Sequence, residues 1–184
     1  MVTIKEITPS AEDIQNKTYN YQNELTAKLD GLDTDFNQAT INEIVLWKVN
    51  RYAAIDYETL SLINQIKKSD TQLNPELTSA ILLRLLDKEQ KGVRLAMAST
   101  ILRFKNPTVY QIIDQRVFRF ITNGQTLKYS ETNINEQITL YLDYLQRLKV
   151  VCKEHNVDFT IADRVFYSMD KIYNPDETLN GVPS

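Results

Sequence analysis

A single carboxylate, Asp114, stands between two large apolar residues and an amphipathic segment, in the run Ile112-Ile113-Asp114-Gln115-Arg116-Val117-Phe118-Arg119. Aspartate at such a place is commonly the N-cap of a helix. A carboxylate held in a cleft can also stabilise a developing cation or activate water. Arg116 and Arg119 follow closely, and an ion pair between Arg119 and Asp114 would keep the carboxylate ionised. The residues alone leave both readings of Asp114 open.

A second candidate site lies upstream, where two predicted helices between Leu77 and Phe104 are joined by the short turn Gln90-Lys91-Gly92-Val93. So tight a turn leaves backbone N–H groups at the start of the second helix unpaired. These donors and the positive end of the helix dipole suit a phosphate, and Lys88, Lys91 and Arg94 add positive charge around them. The alternative is an ordinary helical hairpin whose second helix begins in water.

The charge distribution points to the same region. The chain has 184 residues, with 21 basic and 24 acidic side chains and a net charge of −3. Residues 81–120 nevertheless carry 8 basic and 3 acidic groups, whereas residues 1–80 carry 7 and 12 and residues 121–184 carry 6 and 9. We call residues 81–120 the basic island. An anionic ligand would be sought there, although a solvated helical face is the simpler explanation of the charges.

Together the two segments resemble the helix-hairpin-helix superfamily of base-excision DNA glycosylases, in particular the endonuclease III and adenine-mismatch glycosylase group. The family's hairpin reads Gly-Val-Gly-Arg-x-x-Ala, and a later segment reads Asp-x-x-Val-x-Arg. The corresponding runs here are Gly92-Val93-Arg94-Leu95-Ala96-Met97-Ala98 and Asp114-Gln115-Arg116-Val117-Phe118-Arg119, at a family-like separation. The resemblance is specific over about Leu77–Ile121 and extends elsewhere only to helix number and length.

The resemblance implies that Asp114 is the catalytic carboxylate. It also implies a set of DNA-binding residues in and around the hairpin and the aspartate segment: Lys88, Lys91, Gly92, Val93, Arg94, Arg116 and Arg119. The fold it implies is all-α, with two helical lobes and a helix-hairpin-helix element. The partner is DNA, contacted through its phosphate backbone and one flipped-out base.

The departures from the family pattern narrow the expected chemistry. Arg94 replaces the second hairpin glycine, which alters the turn or brings Arg94 itself to a phosphate. Ala96 stands where bifunctional members keep a Schiff-base lysine, so no imine with the sugar can form there and β-elimination is not expected. Cys152 is the only cysteine, which excludes a four-cysteine iron–sulfur cluster. We therefore expect a monofunctional glycosylase that uses neither metal nor cofactor.

A second function class competes with this expectation. A helical module could keep the fold, lack the chemistry, and bind nucleic acid or a protein partner instead. The acidic net charge, the altered hairpin and Ala96 all favour this alternative. Whether Asp114 opens into a cleft or is buried as a cap would help to distinguish the two.

Apolar residues recur at helical spacing along almost the whole chain, which predicts an all-α domain of eight or nine helices. The expected helices begin at capping residues or a first-turn proline. The expected starts lie near Ser10, Thr40, Asp56, Pro75, Leu95, Asn106–Pro107, Val117, Thr132 and Thr160. The first of these helices should end near Leu29, the one from Asn106–Pro107 should cover Val109–Ile113, and the one from Thr132 should reach Lys153. Asn123–Gly124 should end the helix that begins at Val117.

We expect one glycosylase-like domain over residues 1–174, with the hairpin at about 75–104, the aspartate segment at 107–122 and a flexible tail at 175–184. No apolar run approaches the roughly 18 residues of a membrane span, and no signal-peptide pattern opens the chain. The expectation is a soluble, cytoplasmic monomer without a membrane partner.

Other residues have simpler explanations. Trp47 and its neighbours could form a base-stacking platform, but a core tryptophan flanked by snorkelling charges is the commoner arrangement. We expect Cys152 to be buried and His155 to lie near a helix C-terminus. Asp163–Arg164 and Asp170–Lys171 are predicted to be surface charges of the last helix.

Overall fold

A computed structural model describes residues 2–15, 23–48, 55–88 and 93–177, which form helices and turns with no strand among them. The all-α fold class is therefore confirmed. In chain order the α-helices are α1 (Ala11–Ile14), α2 (Asn23–Asp30), α3 (Gln38–Lys48), α4 (Tyr57–Ile63), α5 (Pro75–Leu85), α6 (Leu95–Lys105), α7 (Gln115–Ile121), α8 (Ile134–Glu154) and α9 (Ala162–Tyr173), with a 3₁₀ turn at Phe159–Ile161.

Several helix boundaries are set by local signals in the sequence. Ser10 and Asp13 form a reciprocal capping box on α1. Asp56 caps α4 through the Thr59 N–H, and Pro75 occupies the first turn of α5. After α7 the chain turns through Asn123 and Gly124, whose φ angles of 59° and 83° lie in the left-handed region. This conformation ends a helix and favours asparagine and glycine.

Three predicted boundaries are wrong. Helix α1 ends at Ile14, and much of the predicted continuation towards Leu29 lies in residues 16–22, outside the described ranges. Thr40 lies inside α3, because the side chain of Asn37 accepts the Thr40 N–H at 3.1 Å and so caps the helix earlier. Thr160 lies inside the 3₁₀ turn, whose cap is the preceding aspartate, Asp158.

The predicted helix over Val109–Ile113 is also wrong. After one turn from Asn106 to Tyr110, this segment runs in irregular conformation as far as the start of α7. A short apolar run does not by itself distinguish a helix from a buried irregular segment. Here the carbonyls of Gln111 and Ile112 and the N–H of Ile113 are satisfied by side chains of α8 and α6, which the local sequence does not reveal.

The helices enclose one continuous cluster of buried apolar side chains, which extends along the chain from Ile4 to Met169. Helix α7 packs mainly on α9, α3 packs on α6, and α5 packs on α4 and α8. Near the chain ends, the Asn174 side chain bonds to both the N–H and the carbonyl of Val2. Asn174 is itself buried, so the described chain is held to the core up to this residue.

Candidate functional site

A pocket of about 160 Å³ opens beside Asp114. Its described lining combines aromatic, apolar and charged side chains: Trp47, Lys48, Ile112, Asp114, Val117, Asp163 and Tyr167. A single water needs only about 10–15 Å³ of such space, so the pocket has room for a ligand much larger than one water. Four separate parts of the chain meet at this pocket, because α3, the irregular segment, α7 and α9 each contribute side chains.

Asp114 both caps a helix and lines this pocket. Its Oδ1 accepts the Arg116 N–H at 2.8 Å, in the extended backbone conformation usual for an N-cap. The residue is neither buried nor fully exposed. The two readings that the sequence left open are therefore compatible, since one carboxylate oxygen serves the cap while the residue also faces the pocket.

The segment that leads to Asp114 is held by hydrogen bonds from neighbouring helices. Tyr141 and Tyr144 of α8 donate their hydroxyls to the carbonyls of Gln111 and Ile112, at 3.0 and 2.7 Å. Burial raises the pKa of both tyrosines well above the ordinary value, so they remain donors. The Ile113 N–H donates to Ser99 Oγ of α6 at 3.1 Å. These contacts fix the backbone in front of Asp114, as a precise reacting group requires.

Trp47 forms part of the pocket and part of the core. Its indole N–H donates to Thr26 Oγ1 at 2.6 Å, and its ring meets Phe104 edge-on with centroids 5.2 Å apart. Only 4% of the residue is exposed. The core interpretation of Trp47 is therefore confirmed, and the same side chain forms part of the pocket wall. Arg51 and Tyr52, its predicted neighbours, lie outside the described residues.

The structure describes only part of the hairpin. Lys91 and Gly92 fall in residues 89–92, outside the described ranges, while Lys88 is exposed and Val93 is buried. Arg94 is the N-cap residue of α6 and makes no side-chain cap hydrogen bond. Its guanidinium bonds instead to Glu131 at 2.8 Å on the surface.

Arg116 and Arg119 pair with Asp170 of α9. Arg119 donates two bonds to the two carboxylate oxygens of Asp170, at 2.8 and 2.7 Å, and Arg116 donates a third at 3.1 Å. The hydrogen bond to Asp170 raises the pKa of Arg119 above its ordinary value. The suggested ion pair between Arg119 and Asp114 is therefore wrong. Asp170, predicted to be a surface charge, is fully buried because α9 packs directly on α7.

Asp163 is likewise buried, and its predicted surface position is wrong. Its Oδ2 lies 3.6 Å from Nε of Arg103, a guanidinium that is itself only 2% exposed. Arg103 and Arg164 both also pair with Asp30 of α2. This cluster of two arginines and two aspartates adjoins the pocket through Asp163.

The positive charge of the basic island is largely matched by carboxylates from the acidic flanks. Seven of its eight cations lie in the described residues, and six of these form ion pairs, namely Arg84, Arg94, Arg103, Lys105, Arg116 and Arg119. The seventh described cation is Lys88, which is exposed, and Lys91 lies outside the described residues. An exposed cation held by a carboxylate is less available to a phosphate, so the island is a weaker anion site than its sequence suggests.

Sequence reasoning missed Tyr167 and the position of Asp163 in the pocket. No local signal marks them, because α9 reaches the pocket only through tertiary packing on α7. Cys152 is buried and His155 is the C-cap of α8, both as expected. Among the described residues, no three side chains of the metal-binding types come together. No helix within the described ranges combines the length and apolar character needed to cross a membrane.

Comparison with protein-family models, with curated proteins and with solved structures finds no significant match to this chain.

Proposed function

We propose that this chain is a monofunctional DNA glycosylase-like enzyme that hydrolyses the N-glycosidic bond of a damaged or mismatched base, with Asp114 as its catalytic carboxylate. One observation carries the proposal. Asp114 stands on a backbone held by Tyr141, Tyr144 and Ser99, and it borders an open pocket walled by Trp47 and Tyr167. Aromatic walls next to a positioned carboxylate are what a flipped-out nucleotide requires.

In the proposed reaction, the amides of the hairpin and the cations Lys88, Lys91 and Arg94 bind the phosphate backbone, and one nucleotide rotates out of the base stack. The base enters the pocket and the sugar faces Asp114. As the bond from sugar to base breaks, positive charge develops on the sugar, and the Asp114 carboxylate stabilises that charge or positions the attacking water. Ala96 supplies no amine to the sugar, so the product is an intact abasic site.

A panel of labelled duplexes tests the proposal, each carrying one altered or mismatched base. Wild type is compared with Asp114→Asn and with Asp143→Asn, a matched control on the exposed face of α8. Strand cleavage should require alkali, persist in Asp143→Asn and be lost in Asp114→Asn. Cleavage without alkali would contradict the monofunctional assignment, and equal activity in the two variants would contradict the role of Asp114.

The ion pairing of the basic island favours a second candidate, a non-catalytic helical module that binds nucleic acid or a protein. Arg94 bonds to Glu131, and Arg116 and Arg119 bond to Asp170, which lowers the net positive charge offered to a phosphate backbone. Silence across the whole panel, with duplex binding at low salt intact, would support this candidate. Such a result would overturn the enzymatic proposal.

A further inference from the structure

Asp163 is the second carboxylate of the pocket, and its position is fixed before any ligand arrives. Its backbone N–H donates to Gln111 Oε1 at 3.3 Å, and its Oδ1 accepts the Arg164 N–H at 2.9 Å. The residue is 4% exposed and lines the pocket that Asp114 also borders. A carboxylate held in this way recognises a ligand by what that ligand can donate.

Two neighbouring polar atoms at this place lack hydrogen bonds within the described part of the chain, and one of them, Nε of Arg103, is buried. Nε of Arg103 has no acceptor, and Oδ2 of Asp163, the nearest carboxylate oxygen, is 3.6 Å away, beyond hydrogen-bonding distance. Buried polar groups are almost always hydrogen-bonded, so such an exception calls for an explanation. Oδ2 therefore meets Arg103 as an ion pair and not as a hydrogen bond, and its lone pairs can accept a hydrogen bond from a donor in the pocket.

We infer that Asp163 is the base-recognition residue of this pocket, and that the pocket takes a base of the guanine type. A carboxylate accepts hydrogen bonds on both oxygens, each with two lone pairs, so Oδ1 retains one acceptor site beside its bond to Arg164. Two parallel N–H donors on a planar ligand match a carboxylate in bidentate fashion. The inference deepens the proposed function by naming the base.

Guanine is the standard base whose pairing edge places two N–H donors side by side, the ring N1–H and the 2-amino group. Adenine and cytosine offer one amino group next to a ring acceptor, and thymine offers one N–H between two carbonyls. Those acceptors would face the carboxylate oxygens of Asp163 and repel them. Oxidised or alkylated guanines that keep N1–H and the 2-amino group remain ligands, whereas hypoxanthine loses one of the two donors.

Trp47 allows base recognition to be measured apart from catalysis, because it is the only tryptophan of the chain and lines the pocket. Its fluorescence is followed while the full chain is titrated with deoxyguanosine, deoxyinosine, deoxyadenosine or thymidine. We expect saturable binding of deoxyguanosine. Loss of the 2-amino group should weaken binding about tenfold or more, since one hydrogen bond to a charged group is lost. Binding of deoxyadenosine and thymidine should be weaker still.

The variant Asp163→Asn keeps the side-chain shape but replaces one acceptor with a donor, and should weaken deoxyguanosine binding at least about tenfold. Asp143→Asn, on the exposed face of α8, should leave that binding within about twofold. Near-ultraviolet circular dichroism checks that Asp163→Asn is folded. If the variant does not fold, the relative affinities of the wild-type chain for the four nucleosides still test the inference. Equal affinity for deoxyadenosine and deoxyguanosine, no binding of any nucleoside, or an unchanged affinity in folded Asp163→Asn would each overturn the inference.

The excision assay separates this inference from the proposed function. If deoxyguanosine is preferred but no duplex is cut, base recognition by Asp163 stands and the glycosylase proposal fails. If the chain excises adenine, uracil or thymine derivatives in preference to guanine derivatives, the glycosylase proposal stands and the assignment of Asp163 is overturned.

Discussion

Replacing Asp170 with alanine is expected to destabilise the chain strongly. Asp170 is fully buried and accepts two bonds from Arg119, one from Arg116 and one from the Asn174 side chain. The side chain of Arg119, on α7, is only 9% exposed. Truncation of Asp170, on α9, leaves this buried guanidinium without its counter-ion. Arg116 is more exposed, at 20%, and can recover part of its hydration.

The magnitude follows from the burial of the unpaired charge. Removing one partner of a buried ion pair costs about 3–5 kcal/mol, and we expect Asp170→Ala to lie near the middle of that range. For a chain of this size the loss corresponds to a fall in melting temperature of about 8–16 °C. Urea unfolding followed by far-ultraviolet circular dichroism measures the free energy of unfolding.

Two further variants test the reasoning. Asp143→Ala, on the exposed face of α8, should change the free energy of unfolding by less than about 0.5 kcal/mol. The double variant Asp170→Leu with Arg119→Met replaces the pair with apolar side chains and should be more stable than Asp170→Ala, because the more deeply buried of the two arginine charges is removed with its partner. A loss below about 1 kcal/mol in Asp170→Ala, or a double variant less stable than it, would refute the account.

Three further outcomes are expected. Burial raises the pKa of the Cys152 thiol to about 12, so Ellman's reagent should react with it only after denaturation, and rapid reaction with the folded chain would contradict its burial. Burial also raises the pKa of Tyr141 and Tyr144, so their contribution to stability is present below about pH 10 and is lost as the pH rises further. The melting temperature should therefore fall above about pH 10, and phenolate absorbance from these residues in the folded state would refute this. Glu131→Gln should release Arg94 and steepen the salt dependence of duplex binding by about one unit of log–log slope, whereas an unchanged slope would mean that Arg94 contacts no phosphate.

Features of the fold that depend on neighbouring residues could be predicted from the sequence. The capping box of Ser10 and Asp13, the first-turn Pro75 and the stop at Asn123–Gly124 each act through contacts within a few residues. The run Val109–Ile113 could not be predicted, because its conformation depends on hydroxyls from α8 and on Ser99 of α6.

In the candidate site, too, residues with local partners could be predicted from the sequence, and residues with distant partners could not. Asp114 was identified because its N-cap role and its neighbours are local in sequence. Asp163 and Asp170 were misplaced on the surface because their partners Arg103 and Arg119 lie 60 and 51 positions away along the chain. Most cations of the basic island likewise form ion pairs with carboxylates from the acidic flanks, far away along the chain. A count of charges along the sequence cannot show these pairs.

The most direct test of the central claim is the single-turnover rate of base excision by wild type and Asp114→Asn, measured on the duplex that wild type cuts fastest. Affinity for the same duplex is measured separately, so that binding and chemistry are distinguished. We predict that the substitution slows excision about 100- to 1000-fold while duplex affinity stays within about twofold, as expected when one electrostatic stabiliser of the transition state is removed. Excision by Asp114→Asn at the wild-type rate would contradict the assignment of Asp114 as the catalytic carboxylate.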